Sequence, residues 1–395
     1  MTNQASATAA NASPQVIGMI ERLIAFPTVS RDSNLGLIEW TRDYLRGLGV
    51  DSRLTYDSTG KKANLFATLG EGRSGGIILS GHTDTVPVDG QAWSSDPFVA
   101  SVRDGRIYGR GSADMKSYIA TALALAPEFL DRSDAAPVHI ALSYDEEVGC
   151  IGVRSLIADL KDQGIEARGC IVGEPTTMRP IVAHKGTHRF RCCVRGKEAH
   201  SSYTNQGVNA IEYAARLIVR IRQIADRMAS EEKKNHQFTV PHSTMQTGLV
   251  RGGIAANVVP RDCEFMFEFR TLPGTDPSRI YREVASYADL LGAAMREEAP
   301  EAGIQFEQVS SSPGLLMQAD DPVVQLASTL SGQMPDGAVS YGTEAGLFQH
   351  AGIPTVVCGP GNIEQAHRPD EYVSLEQVAL CEAFMRRLAR TTVSI

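Results

Sequence analysis

Short runs of continuously apolar residues, separated by stretches of helical spacing, narrow the fold of this 395-residue chain more than any other feature. Ile77-Ile78-Leu79-Ser80, Val138-His139-Ile140-Ala141-Leu142-Ser143, Gly169-Cys170-Ile171-Val172 and Pro354-Thr355-Val356-Val357-Cys358 do not alternate polar with apolar residues. A strand of that kind has no face to offer to water, so it belongs in a mainly parallel sheet with helices on both faces. Helices are expected near residues 14–25, 35–48, 116–130 and 151–162, interleaved with strands near 64–69, 77–80, 138–143 and 169–172. That order predicts an α/β domain.

Between about 183 and 311 the patterning changes. Longer alternating strands at 186–195, 244–251, 261–270 and 303–309 are interleaved with two longer helices at 206–227 and 277–297. This β-α-β-β-α-β order fits a small sheet with both helices on one face. It predicts an inserted α+β domain at 183–311, with 15–182 and 312–395 together forming the catalytic, metal-binding domain and 1–14 a disordered tail. Two domains also suit the length, because a single core seldom grows past about 250–300 residues.

A formal charge of −8 without a cluster of basic residues argues against nucleic acid as a partner. No apolar run approaches the roughly 18 residues that a membrane span needs, and residues 1–14 lack the basic start and apolar stretch of a signal peptide. The seven cysteines, at 150, 170, 192, 193, 263, 358 and 381, are odd in number and show no CxxC spacing. They suit reduced thiols in a cytoplasm better than a disulfide framework. Cys192 and Cys193 are neighbours on an expected strand, point to opposite faces, and cannot chelate one ion together.

The chemistry gathers at the ends of the apolar runs. His82, Asp114, Glu147, Glu174 and His367 each follow such a run or a short loop leaving one, and in open α/β sheets sites collect beyond the carboxyl ends of strands. His82 offers an imidazole, and Asp84, two residues on, is placed to accept its other ring N–H; a turn-forming Asp is the plainer reading of that residue. Asp114 sits in a Gly-rich turn feeding a helix, where it could bridge two cations or simply cap the helix. In the neighbouring Glu146 and Glu147, one carboxylate can bind metal while the other handles protons, although a solvated loop would also place two Glu there. Assembled, these five ligands would hold two metal ions with a water between them, a centre for metal-assisted hydrolysis.

The segments Gly81-His82-Thr83-Asp84-Thr85-Val86-Pro87, Gly109-Arg110-Gly111-Ser112-Ala113-Asp114-Met115-Lys116, Glu146-Glu147 and Gly173-Glu174-Pro175-Thr176, with the late His367, resemble those of a known family. It is the dinuclear zinc amidohydrolases, comprising acetylornithine deacetylase, succinyl-diaminopimelate desuccinylase, aminoacylases and related carboxypeptidases. The resemblance covers nearly all of the chain after residue 14. It implies a zinc-peptidase-like fold whose inserted domain serves as lid and dimerisation element, and two Zn2+ per subunit, with Co2+ a possible substitute. It further implies that His82 and Glu174 bind one metal, Glu147 and His367 the other, that Asp114 bridges both, and that Glu146 is the catalytic base. A cis peptide bond after Asp114 is part of the same pattern.

By the same resemblance His200, an exposed loop histidine by composition alone, reaches the partner's site in a homodimer. Asn257 and Arg270 match positions that bind a substrate carboxylate. The segment Gly342-Thr343-Glu344-Ala345 and the stretch from Gly359 to Val373 favour the acetylornithine deacetylase branch, and Glu344 suits a cationic amine by charge. The expected substrate is a small N-acyl amino acid; the other members' substrates, and a non-catalytic metal-binding scaffold, are the alternatives.

Overall fold

The computed structural model describes residues 12–72, 75–131 and 136–391. The expectation of a disordered tail falls mostly on residues 1–11, which lie outside the described residues. Residues 12–14 belong to the fold instead. Ala12 is buried, the Ser13 N–H donates to Glu382 (2.8 Å), and Ser13 caps the helix Pro14–Ile24 by accepting from the Val16 N–H.

The chain divides into two compact units. The first takes in Met1–Val182, Leu315–Gly337 and Thr343–Ile395, the second Ala183–Gly314 and Ala338–Gly342. The short return of 338–342 to the second unit has no counterpart in the sequence pattern, because five residues carry no readable period.

In the first unit a six-stranded sheet runs in the order Ser52–Tyr56, Ala63–Leu69, Val138–Ser143, Ile77–His82, Gly169–Pro175, Thr355–Gly359. The last four are mutually parallel and the first two form an antiparallel edge. All residues of Ile77–His82, Val138–Ser143, Gly169–Pro175 and Thr355–Gly359 are buried, as their lack of alternation requires. Gly81 faces the helix Lys116–Ala124, where a Cβ would meet Ile119 and Met115 within 3 Å. Its neighbour Ser80 points the opposite way, to Glu344 at the start of the helix Ala345–His350. Successive strand residues alternate sides, so helical segments cover both faces of the sheet.

The helix expected at 116–130 is two helices, Lys116–Ala124 and Ala126–Leu130. Pro127 has no N–H to donate and its ring displaces the preceding turn. Sequence patterning also passed over a hairpin, Ser101–Arg103 with Arg106–Tyr108, to which Tyr372–Ser374 adds a third strand. Its turn is Asp104-Gly105, both at positive φ, which is the strongest short hairpin signal a sequence carries.

In the second unit a four-stranded antiparallel sheet runs Thr244–Gly252, Asp262–Thr271, Gly186–Arg195, Gly303–Ser312. Alternate residues Cys263, Phe265, Phe267 and Phe269 pack with Leu217, Ile221 and Ile224 of one helix (Ala210–Glu231) and Val284, Leu291 and Met295 of the other (Pro277–Glu298). One apolar face therefore takes both helices, and the opposite face carries ion pairs such as Arg189 with Glu268 and Arg191 with Glu307.

Candidate metal centre

The four parallel strands of the first unit point the same way, so their carboxyl ends deliver side chains to one edge. His82 closes its strand, Glu146 and Glu147 follow Ser143 by a short turn, Glu174 lies one residue from the end of Gly169–Pro175, and the loop to His367 leaves Gly359. Asp114 comes from the turn before Lys116–Ala124, and the Asp114–Met115 peptide bond is cis.

Asp114 is central. Its Oδ1 lies 2.9 Å from His82 Nε2 and its Oδ2 lies 3.3 Å from His367 Nε2. His82 Nε2 is 3.7 Å from Glu174 Oε1, while His367 Nε2 is 3.1 Å from Glu147 Oε2. The carboxylate thus divides two groups, His82 with Glu174 on one side and His367 with Glu147 on the other. Ligand atoms of His82, Asp114 and Glu147 fall within 4.8 Å of one another, as do those of His82, Glu146 and Glu174. Glu146 stands at the same centre, its Oε1 accepting from the Cys150 thiol at 3.2 Å.

Asp84 does more than its spacing suggested. His82 Nδ1 lies 3.0 Å from the Asp84 backbone carbonyl and 3.6 Å from its carboxylate, so the carbonyl is the direct partner that fixes the ring. The buried carboxylate accepts from Ser30 Oγ (2.7 Å) and from the backbone N–H groups of Glu146 (3.0 Å) and Glu147 (3.3 Å). One residue therefore ties His82 to the loop that carries both glutamates.

The electrostatics of the cluster are those of an acid-rich pocket. Burial pushes Glu174 well above the usual carboxyl range, and Asp114 adds to the effect. Burial and Asp114 likewise raise Glu147, and loss of solvent pushes Glu146 up to about 8. Asp114 itself is lowered, because the bonds from His367 and His82 outweigh its burial. His367 rises to about 10 through its bonds to Asp114 and Glu147, and His82 rises against its own burial through Asp114 and Asp84. Among the described residues, the ion pairs of Asp114, Glu147 and Glu174 run only to these two imidazoles. Carboxylate oxygens and imidazole nitrogens, crowded together without Lys or Arg, form a donor set that suits zinc, cobalt or manganese. The residues present fit a pair of divalent cations.

The expected substrate contacts fare differently. Thr343 and Glu344 are fully buried in the first unit, where Thr343 Oγ1 accepts from the Ala345 N–H, and the Glu344 carboxylate accepts from Ser80 Oγ (2.6 Å) and Ser143 Oγ (2.7 Å). Both Glu344 oxygens are engaged inside the fold, bracing the strands that lead to His82 and to Glu146.

In the second unit His200 and Asn257 lie side by side. His200 pairs with Val258, and the Ser201 N–H donates to the Asn257 carbonyl. Arg270 sits near the far end of Asp262–Thr271, bonded to Glu268 Oε1 (3.3 Å) and the Ser340 carbonyl (3.2 Å). Asn257 lies beside the Asp262 end, so about eight residues of strand, roughly 25 Å, separate the two. That spacing sets Asn257 and Arg270 well apart within one copy.

Residues 78–391 match the model of peptidase family M20/M25/M40. The chain belongs to this family and is a hydrolase acting on amide bonds. It is 36% identical over 382 residues to the acetylornithine deacetylase of Myxococcus xanthus, covering 95% of this chain and 96% of that protein. Its fold matches an M20 family metallo-carboxypeptidase of Sulfolobus solfataricus with a TM-score of 0.74 at 17% identity, over 96% of this chain and all of that one. A dinuclear metal-binding M20 peptidase of Bacillus subtilis matches with a TM-score of 0.60 at 17% identity, over 95% of this chain and 96% of that one.

Proposed function

We propose that the protein is a metal-dependent N2-acetylornithine deacetylase, releasing acetate and L-ornithine in arginine biosynthesis. The observation that carries this reading is the convergence of His82, Glu174, Glu147 and His367 on the two oxygens of Asp114, with the Glu146 carboxylate beside them. His82, Asp114 and Glu174 would hold one zinc ion and Asp114, Glu147 and His367 the other, with cobalt an acceptable substitute. When bound, such ions activate a water and polarise the amide carbonyl.

The remaining chemistry falls to Glu146. It takes a proton from the water as the water oxygen bonds to the acetyl carbon, then gives that proton to the nitrogen as the C–N bond breaks. Burial raises the Glu146 carboxyl above the usual carboxylate range, and a nearby pair of cations would bring it back down, leaving it able to take the proton and return it. Asp84 keeps His82 and the Glu146–Glu147 loop in register for this transfer. His200, Asn257 and Arg270 are the substrate contacts of the proposal. Since Asn257 lies in the loop before the strand Asp262–Thr271 and Arg270 near its far end, a single substrate would meet both more readily when two copies supply them, which favours a homodimer through the second unit. Seven cysteines outside any disulfide suit a cytoplasmic location. No helix among the described residues is long and apolar enough to cross a membrane.

The choice of acetylornithine rests on 36% identity to a deacetylase of that substrate along nearly the whole chain. A substrate panel tests it. Acetylornithine is expected to give the highest kcat/KM among acetylornithine, acetylmethionine, succinyl-diaminopimelate and dipeptides. Preference for a dipeptide would overturn the assignment.

A further inference from the structure

Arg110 stands four residues before Asp114, and Glu371 stands four residues after His367. Both side chains are almost wholly buried, and they pair with each other at 2.7 Å. Each also holds the backbone of the other's loop. The Glu371 carboxylate accepts from the N–H groups of Gly111 (3.1 Å), Ala113 (2.9 Å) and Asp114 itself (3.1 Å). The Arg110 guanidinium donates to the Arg368 carbonyl (3.3 Å) and to Gln91 Oε1 (2.5 Å), and Gln91 Nε2 donates in turn to the His367 carbonyl (3.0 Å).

His367 needs such an anchor. Its side chain is 52% exposed and its backbone is at φ 63°, in the left-handed region that non-glycine residues seldom occupy. With half of the side chain exposed and its ring met by Asp114 and Glu147, the position of Nε2 follows the position of the loop. Asp114 also lies outside regular structure, in the turn before a helix. Burying an Arg–Glu pair costs desolvation that a surface position would avoid, and further hydrogen bonds to the pair offset that cost, even with the Arg110 Nε left without an acceptor. Here Glu371 meets four donors from one loop.

We propose that Arg110, Glu371 and Gln91 form a reciprocal clamp that sets the separation of Asp114 and His367, and through it the affinity of the ion those two share with Glu147. They are positioning residues and touch neither substrate nor ion. The inference rests on the dinuclear reading given above. Isothermal titration of metal-free protein with Zn2+, in competition with a chelator, tests it. Glu371→Gln is expected to weaken one of two Zn2+ sites by about 10- to 100-fold, the usual cost of losing an outer partner of a metal ligand.

Gln91→Met removes the tie to the His367 carbonyl together with the acceptor that Arg110 and Trp93 share, from a half-buried position, and keeps the test decisive if the buried variant fails to fold. It is expected to weaken the same single site while the unfolding temperature of the metal-free protein stays unchanged, a split that a merely structural residue would not produce. Wild-type affinity at both sites in folded Gln91→Met and Glu371→Gln proteins would overturn the clamp. Failure of the wild-type protein to take up two Zn2+ would instead count against the dinuclear reading.

Discussion

A Glu146→Gln protein is expected to take up its metal ions normally and to lose about 10²- to 10⁴-fold in kcat on acetylornithine, the range that a positioned acid–base group contributes. Gln matches Glu in shape and can still accept from the Cys150 thiol that reaches Glu146 Oε1. What it cannot do is carry the water's proton to the departing nitrogen. Binding should be little changed, so the loss should appear in kcat and in kcat/KM together. Steady-state assay of acetate release, with metal content measured on the same sample, checks this. A variant with full activity would show that Glu146 is not the base.

Replacing Asp114 by Ala is expected to have the largest effect of any single substitution in the centre. Its two oxygens face different imidazoles, at 2.9 Å and 3.3 Å, so one change removes a donor from both halves at once. Each half then keeps two protein ligands, His82 with Glu174 and Glu147 with His367. Two ligands fall short of the three or four that zinc sites in proteins ordinarily provide. Elemental analysis after dialysis is expected to find neither ion retained, and activity should drop below detection. Two ions still bound in the dialysed variant would contradict a bridging role for Asp114.

The sequence made the sheet legible because its strands are buried on both faces and therefore lack alternation. Ile77–His82 and Val138–Ser143 could be read for that reason, and the residues at their ends could be read with them. The second sheet was equally plain, since Cys263, Phe265, Phe267 and Phe269 alternate with polar neighbours. Glu344 was harder. Its charge is visible in the sequence, but its partners Ser80 and Ser143 lie 264 and 201 positions away, and only the fold shows that they consume both oxygens. The spacing of Arg270 and Asn257 was hidden for a related reason: thirteen positions of chain, mostly strand, become a wide separation once the strand is extended. The Asp104-Gly105 hairpin was within reach of sequence reasoning. With Tyr372–Ser374 it forms the small sheet that brings the His367 loop back beside the Gly-rich turn carrying Asp114.

The most direct test of the paired-metal centre is to count ions and activity on one preparation. Purified protein is expected to hold two divalent ions per chain, to stop releasing acetate from acetylornithine when a chelator strips them, and to recover when zinc or cobalt is restored. Stripped protein that hydrolyses acetylornithine at its original rate would contradict the account.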